Sequence, residues 1–221
     1  MKDLSIVLNS RSPYLLDRML SSFEVHTNNP DSFQIIINID NDDIDSIEYS
    51  KQYKSNLNVI FEYSSRTKML NATLTRLTDK YPAHYYWGLN DDVEINTYNW
   101  DNLLPHIDGY FKCFEGDTNR GMACFPLMSH SLKNHIGFFV PPFIKNLYAD
   151  NFLYEIMLER PDLIHGLDFQ IIHYKERFPG WFLRTLDRQE YSLDTATYGT
   201  QVTRDCKEKV RNFVQNPIST L

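Results

Sequence analysis

Four apolar runs in the first half of the chain, each followed at once by polar residues, constrain the fold more than any other feature. These runs occupy residues 5–8, 34–39, 58–61 and 85–89. Each run has the length of a buried strand, and near-continuous apolar runs are typical of parallel sheets covered on both faces. Apolar residues recur at helical spacing after Ser12-Pro13 and again over 67–78, which predicts two helices. The pattern predicts β-α-β organisation in an α/β fold.

The polar clusters after these strands indicate one shared crevice. They read Asn9-Ser10-Arg11, Asp40-Asn41-Asp42-Asp43, Ser64-Ser65-Arg66 and Asn90-Asp91-Asp92. In open parallel sheets, ligands bind outside the carboxyl ends of the strands. We therefore expect these clusters to line a single binding site.

The second half of the chain has a less regular pattern. It favours a helix over 100–111, strands over 121–127 and 136–140, and a further strand over 168–173 that ends in His173. Asp150 opens an apolar-faced helix that stops before Pro161. The final helix should place one set of side chains along one side: Val202, Cys206, Val210, Phe213 and Val214.

Asp91 and Asp92 follow the aromatic strand at 85–89 directly. Adjacent carboxylates at the end of a buried strand repel each other unless a cation or hydrogen-bond donors compensate them. Mg²⁺ or Mn²⁺ takes one or two protein carboxylates and shares its other positions with phosphate oxygens and water. The alternative is a solvated turn, where Asn and Asp clusters are common.

The combined pattern resembles the GT-A glycosyltransferase fold, in particular its family-two-like enzymes, over residues 4–174. Three segments carry the resemblance: Leu8-Asn9-Ser10-Arg11, Ile39-Asp40-Asn41-Asp42-Asp43 and Leu89-Asn90-Asp91-Asp92-Val93. They resemble the first strand that reaches the nucleotide, the acidic end of the second strand, and the metal-binding DxD region. The resemblance implies a Rossmann-like, mostly parallel sheet with flanking helices in a single domain.

The resemblance also implies a metal site that binds Mn²⁺ or Mg²⁺. Asp92 would be a ligand, Asp91 a sugar or metal contact, and His173 the third protein contribution. Asn90 departs from the family, which often has Asp at this position, and this leaves the identity of the metal open. A hydrogen-bonded structural role is the alternative for His173.

Further site residues are implied by the same resemblance. The contacts to the nucleotide sugar would come from Asn9, Arg11, Asp40, Arg66, Asn71, Asp91 and Trp181. Asp150 resembles the acidic residue that supplies the base in inverting members, although a helix cap is its alternative role. A surface ion pair is the alternative for Arg66 and core packing for Trp181.

We interpret residues 1–221 as one GT-A-like domain. The nucleotide-sugar-binding half would span 1–95, the acceptor and catalytic half 96–194, and a C-terminal helix 195–221. The predicted activity is metal-dependent, inverting transfer of a sugar from a nucleoside-diphosphate sugar, with a UDP-sugar favoured, to a hydroxyl acceptor. A saccharide, a lipid-linked sugar, a protein and a hydroxymethylated nucleic-acid base of phage type all remain as acceptors.

Two other functions stay open. A sugar-nucleotide nucleotidyltransferase shares a related sheet, but it predicts a Gly-rich basic loop where this chain has Asn9-Ser10-Arg11-Ser12-Pro13. A non-catalytic carbohydrate- or partner-binding module on the same fold would bind without turnover. Dinucleotide-binding and P-loop signatures are missing from the sequence.

Charge and cysteine content narrow the partners and the compartment. The net charge of −7 disfavours a nucleic-acid acceptor, because binding to phosphate polymers needs clustered Lys and Arg. The three cysteines lack CxxC spacing, so neither a disulfide framework nor a structural zinc site is indicated. With no apolar segment of membrane-spanning length, we predict no integral membrane segment and a cytoplasmic protein, in the host cytoplasm if phage-encoded.

Overall fold

The computed structural model describes residues 1–65, 70–115, 125–144, 149–174 and 201–214. Its strands are β1 (Lys2–Ser10), β2 (Phe33–Asp40), β3 (Val59–Ser64), β4 (Ala83–Gly88), β5 (Val93–Ile95), β6 (Tyr110–Glu115), β7 (Leu127–Ser129) and β8 (Ile164–His173). Its α-helices are α1 (Pro13–His26), α2 (Ile44–Gln52), α3 (Leu70–Lys80), α4 (His130–Ile136), α5 (Ala149–Met157) and α6 (Gln201–Arg211). Short 3₁₀ helices cover Trp100–Leu103 and Pro161–Leu163.

The strands form one eight-stranded sheet in the order β3-β2-β1-β4-β7-β6-β8-β5. Neighbouring strands from β3 to β4 are parallel, and so are β6 and β8. Strand β7 runs antiparallel to both of its neighbours, and β5 runs antiparallel to β8. The predicted α/β architecture with a mostly parallel sheet and flanking helices is confirmed.

Helices cover both faces of this sheet and bury two apolar cores. Successive side chains of β1 lie on opposite faces of the sheet, so Leu8 belongs to the first core and Val7 to the second. Helix α1 covers the first face, and α3, α4, α5 and α6 contribute to the core on the second. Strand β2 is buried along its whole length, as its continuous apolar run predicts.

The start of α1 follows the end of β1 after only two residues. The Ser12 side chain accepts a hydrogen bond from the backbone N–H of Leu15, and Pro13 occupies the first turn. The predicted helix after Ser12-Pro13 is confirmed.

Two sequence predictions in the second half are wrong. Residues 100–111 were expected to be helical, but only Trp100–Leu103 form a 3₁₀ turn, and β6 begins at Tyr110. A strand was expected over 136–140, but α4 ends at Ile136 and Gly137 takes a left-handed φ of 100°. Buried loop residues follow it, and a short apolar run of this kind has no periodicity that separates loop, helix and strand.

Other expectations for the second half agree with the structure in part. The apolar face of α5 is buried, and β8 ends at His173. The predicted apolar side of the final helix is only partly correct: Cys206, Val210 and Phe213 are buried, but Val202 and Val214 are exposed, and α6 ends at Arg211 before Phe213 and Val214. Of the strand expected over 121–127, residues 121–124 lie outside the described residues, and β7 begins at Leu127. No α-helix in the described ranges is long and apolar enough to cross a membrane.

Candidate active site

The carboxyl ends of β1, β2 and β4 meet at one edge of the sheet, where the sequence predicted a crevice. Ser10 is the last residue of β1 and pairs with Ile39 of β2. Beyond β4, the backbone N–H of Leu89 donates to the carbonyl of Val7 at 3.1 Å and extends the pairing with β1. This extension carries Asp91 up to the end of β1.

Asp91 turns towards β1. Its Oδ2 accepts a hydrogen bond from the Ser10 hydroxyl at 2.7 Å and a longer one from the backbone N–H of Arg11 at 3.4 Å. Burial is the main cause that raises the pKa of Asp91 to about 6, and the Ser10 hydrogen bond opposes the shift. The nearby charge of Asp92 adds to the increase. No local pattern in the sequence predicts the Ser10 contact, because 81 residues separate the partners.

Asp92 turns the opposite way, towards β8. Its Oδ2 lies 3.2 Å from the Nε2 of His173. Antiparallel pairing sets Val93 of β5 opposite His173, and the backbone N–H of Tyr174 donates to the Asp92 carbonyl at 2.9 Å. The ring of Phe125 packs edge-on against His173 at 4.9 Å between centroids. Two of the three predicted metal ligands, Asp92 and His173, are therefore neighbours in space.

The Asp92–His173 pair has the chemistry of a partial metal site. Asp92 Oδ1 and His173 Nδ1 are buried and have no hydrogen-bond partner in the described part of the chain. Buried polar atoms without partners are uncommon because their desolvation is uncompensated. The atoms that face each other are Asp92 Oδ2 and His173 Nε2, and at 3.2 Å they are close enough for both to serve as ligands of one cation. Carboxylate oxygen and imidazole nitrogen suit Mn²⁺, so these residues fit a divalent cation.

The predicted set of three protein ligands is not brought together. Within the described ranges, no three His, Cys, Asp or Glu side chains form a group that could hold a metal ion. Asp91 stays apart because Ser10 and Arg11 draw its Oδ2 to the end of β1. Asp92 and His173 remain as the pair that could contribute to a metal site.

Arg11 adds a positive charge beside Asp91. Its Nε lies 3.3 Å from Asp40 Oδ2, and its Nη2 lies 3.6 Å from Asp42 Oδ1. Asp40 is buried at the end of β2, whereas the Arg11 side chain is 46% exposed. The guanidinium is therefore held by two carboxylates and stays partly exposed at the strand ends.

Asn9 and Asn71 lie in different settings. Asn9, in β1, is half-buried, and its Oδ1 has no hydrogen-bond partner among the residues that the structure describes. Asn71 is buried in the first turn of α3, and its amide donates to the carbonyl of Ile144 at 2.8 Å. That bond gives Asn71 a structural role in holding the 140–144 loop, and its predicted donor contact stays a prediction.

The remaining predicted residues are Asp150, Arg66 and Trp181. Asp150 lies in the first turn of α5, as predicted, and its Oδ1 accepts a hydrogen bond from the backbone N–H of Asn151 at 2.9 Å. A carboxylate there also interacts favourably with the helix dipole. Arg66 and Trp181 lie outside the described residues.

Comparison with known proteins gives a fold but no family. No protein-family model matches the sequence, and no curated protein matches it. Among solved structures, mannosyltransferase PcManGT from Pyrobaculum calidifontis, in complex with GDP-Man and Mn²⁺, is similar with a TM-score of 0.64 and 9% identity. The match covers 94% of this chain and 68% of that one.

S. aureus TarS 1-349 is a second structural neighbour. Its complex with UDP is similar with a TM-score of 0.58 and 12% identity, and its complex with UDP-GlcNAc gives the same values. The match covers 78% of this chain but spans only 57% of the TarS chain in the UDP complex. Both neighbours are GT-A glycosyltransferases, and the fold of this chain is therefore of the GT-A type.

Proposed function

We propose that this protein is a glycosyltransferase that moves a sugar from a nucleoside-diphosphate sugar to a hydroxyl acceptor. The observation that carries the proposal is the Asp92–His173 pair, whose Oδ2 and Nε2 atoms lie 3.2 Å apart beside the carboxyl ends of parallel strands. The other atoms of the pair, Asp92 Oδ1 and His173 Nδ1, are buried without partners among the described residues. The GT-A fold supports it, and structural neighbours have been captured with UDP, UDP-GlcNAc and GDP-Man.

Asp92 and His173 would hold Mn²⁺ or Mg²⁺ in this function. A divalent ion bound there would supply electrostatic stabilisation of the diphosphate leaving group. One of the structural neighbours, the mannosyltransferase, is a Mn²⁺ complex. We assign Asp91 a supporting role, because Ser10 and Arg11 already donate to its Oδ2.

Side chains at the ends of β1 and β2 would bind the donor. The exposed guanidinium of Arg11 can donate charge-assisted hydrogen bonds to phosphate, and Asp40 keeps it in place. The side-chain amide oxygen of Asn9, Oδ1, is buried without a partner in the described ranges and could accept a hydrogen bond from the donor. We favour a UDP-sugar donor, with Arg66 and Trp181 as further contacts.

Asp150 would act as the general base. Its carboxylate would take the proton of the acceptor hydroxyl as that oxygen forms a bond to the anomeric carbon. The bond from that carbon to the diphosphate oxygen breaks, and the nucleoside diphosphate leaves with the electron pair. Attack opposite the leaving group inverts the configuration of the anomeric carbon.

The experiment is a turnover assay on the purified protein with UDP-sugars and GDP-mannose. We expect release of nucleoside diphosphate with Mn²⁺ and its loss with EDTA or in Asp92→Ala. Asp162→Ala is the control, because this exposed carboxylate pairs with Arg160 on the surface. Normal turnover by Asp92→Ala would contradict the role of Asp92 as a metal ligand.

Other outcomes of the same assay would support different functions. Nucleotide or sugar binding in calorimetry without any turnover would favour a binding module. Formation of a sugar nucleotide from a nucleoside triphosphate and a sugar phosphate would favour a nucleotidyltransferase. Turnover that depends on an added saccharide, lipid-linked sugar, protein or hydroxymethylated nucleic acid would identify the acceptor.

A further inference from the structure

Three side chains from three different elements meet beside the end of β8. They are Arg18 of α1, Glu94 of β5, and Tyr174, which directly follows β8. The Nε of Arg18 donates to Glu94 Oε1 at 2.6 Å, and the hydroxyl of Tyr174 donates to Glu94 Oε2 at 3.1 Å. The guanidinium of Arg18 also lies 3.9 Å from the centre of the Tyr174 ring. Each of the three side chains therefore contacts both of the others.

This cluster is held more firmly than an ordinary surface ion pair. The side chains of Arg18 and Glu94 are only 26% and 23% exposed. Ion pairs and cation–π contacts are stronger when they are partly withdrawn from water. Since each carboxylate oxygen of Glu94 is bound by a different element, its rotamer is fixed from two sides.

The backbone connects this cluster to the Asp92–His173 pair. Tyr174 is the residue after His173, and its backbone N–H donates to the carbonyl of Asp92. Glu94 lies two residues after Asp92 and pairs with Ile172, the residue before His173. Because Tyr174 is anchored through its ring, its hydroxyl and its backbone, the backbone that carries His173 is held beside Asp92.

We propose that Arg18, Glu94 and Tyr174 form a clamp that holds His173 against Asp92 and so pre-organises the divalent-metal site. The inference rests on the proposed function, and the three are positioning residues rather than ligands. The described residues bring together two side-chain ligands, so metal affinity depends on how narrowly those two are held. Partners that orient metal ligands typically change metal affinity by about 10- to 100-fold.

The chain contains a matched control for the clamp at the opposite edge of the sheet. Glu62 of β3 accepts a hydrogen bond from Lys80 Nζ at 2.6 Å and another from the hydroxyl of Tyr81. This second cluster has the same composition of carboxylate, cation and tyrosine. In the sheet order, β3 and β8 are separated by five strands. Glu62→Gln should therefore disturb a similar cluster without affecting His173.

The first test measures Mn²⁺ affinity by electron paramagnetic resonance in the presence of UDP. We expect Glu94→Gln to weaken Mn²⁺ binding by about 10- to 100-fold and Tyr174→Phe to weaken it less, since only the hydroxyl is lost. Glu62→Gln should bind Mn²⁺ like the wild type. Glu62→Gln and Glu94→Gln should lower the midpoint temperature of thermal unfolding, measured without metal, to a similar extent. This comparison separates the effect on metal binding from the effect on stability.

The second test follows the His173 ring by ¹H–¹³C NMR in the metal-free protein, with the signal assigned through His173→Gln. The clamp predicts that Glu94→Gln shifts or broadens this signal and that Glu62→Gln does not. An unchanged signal, or Glu94→Gln protein that binds Mn²⁺ as tightly as the wild type, overturns the clamp. Wild-type protein that binds no Mn²⁺ overturns the proposed function instead, so the two failures are distinct.

Discussion

The two neighbouring carboxylates, Asp91 and Asp92, face different strands and have different partners. On the β1 side, Asp91 receives hydrogen bonds from Ser10 and Arg11. On the β8 side, Asp92 faces His173 and keeps one buried oxygen without a partner in the described chain. Residues that are adjacent in sequence therefore have different chemistry available to them.

The difference indicates a division of roles within one acidic motif. Asp91 already has protein donors, which offset part of the cost of its burial and join the end of β4 to the end of β1. Asp92 has carboxylate oxygens that could bind a divalent cation, and the imidazole of His173 beside it suits the same cation. We propose a structural role for Asp91 and metal binding by Asp92.

The largest expected effect separates the two aspartates in the turnover assay. Asp92→Asn should lower turnover by about 10³-fold, since it weakens the charge stabilisation of the leaving group. Asp91→Asn should stay within about tenfold of the wild type, since an amide oxygen can still accept from Ser10. Steady-state kinetics at saturating Mn²⁺ would measure both.

The reverse order of effects would contradict these different roles of Asp91 and Asp92. If Asp91→Asn lost more activity than Asp92→Asn, the metal role would belong to Asp91. Asp162→Asn serves as the control for a change of surface charge, because its carboxylate pairs with Arg160 on the surface.

The next effect concerns stability and its dependence on pH. Because the pKa of Asp91 rises from 3.8 to about 6 in the folded state, the native protein binds the proton more tightly than the unfolded chain. Stability should therefore fall as pH increases from about 4 to about 6, and the full penalty should persist above that range. Asp91→Asn should remove it and stabilise the metal-free protein at pH 7.5 by at most about 3 kcal/mol.

Urea unfolding in EDTA at two pH values would check this prediction. The gain from Asp91→Asn should be present at pH 7.5 and should largely disappear near pH 4, where the unfolded carboxyl is also protonated. A variant that is less stable than the wild type at pH 7.5 would show that the Asp91 charge is well compensated in the free protein.

A smaller effect is expected from the arginine on the β1 side. Arg11→Ala should raise the KM for the donor by about 10- to 100-fold, the range expected when a hydrogen bond to a charged group is lost. The effect on kcat should be smaller, because Asp92 and His173 are unchanged. Arg160→Ala is the matched control, and a loss confined to kcat would argue against a donor contact by Arg11.

The smallest effect tests the Ser10 contact. Ser10→Ala removes the 2.7 Å hydrogen bond to Asp91 and should cost about 1 kcal/mol of folding stability at pH 7.5. Urea unfolding of the variant beside Ser21→Ala, an exposed serine of α1, would measure it. Equal stability of the two variants would mean that Ser10 does not stabilise the Asp91 charge.

Much of the first half could be predicted from the sequence because parallel, buried strands leave a continuous apolar run. Strand β2 is the clearest case, since every residue from Phe33 to Asp40 is buried. The polar residues that end such strands are fixed by topology, so Ser10 and Asp91 could be expected at one edge. Their hydrogen bond could not, because no local pattern encodes a contact across 81 residues.

The second half was less predictable for a physical reason. Tyr110 and Phe111 belong to β6, but two apolar residues fit a helical stripe as well as a strand. The pairing of β5 with β8 depends on tertiary contacts between short segments. The cluster of Arg18, Glu94 and Tyr174 has no sequence signal either, since 76 and 80 residues separate its partners.

We propose above that Asp92 and His173 hold a divalent metal on the diphosphate of a sugar nucleotide. Crystals grown with Mn²⁺ and UDP, measured at a wavelength where manganese scatters anomalously, would test this proposal directly. We expect an anomalous peak within about 2.0 to 2.4 Å of an Asp92 carboxylate oxygen and a His173 ring nitrogen. A peak bound by Asp91 instead, or bound UDP with no anomalous peak at this pair, would contradict it.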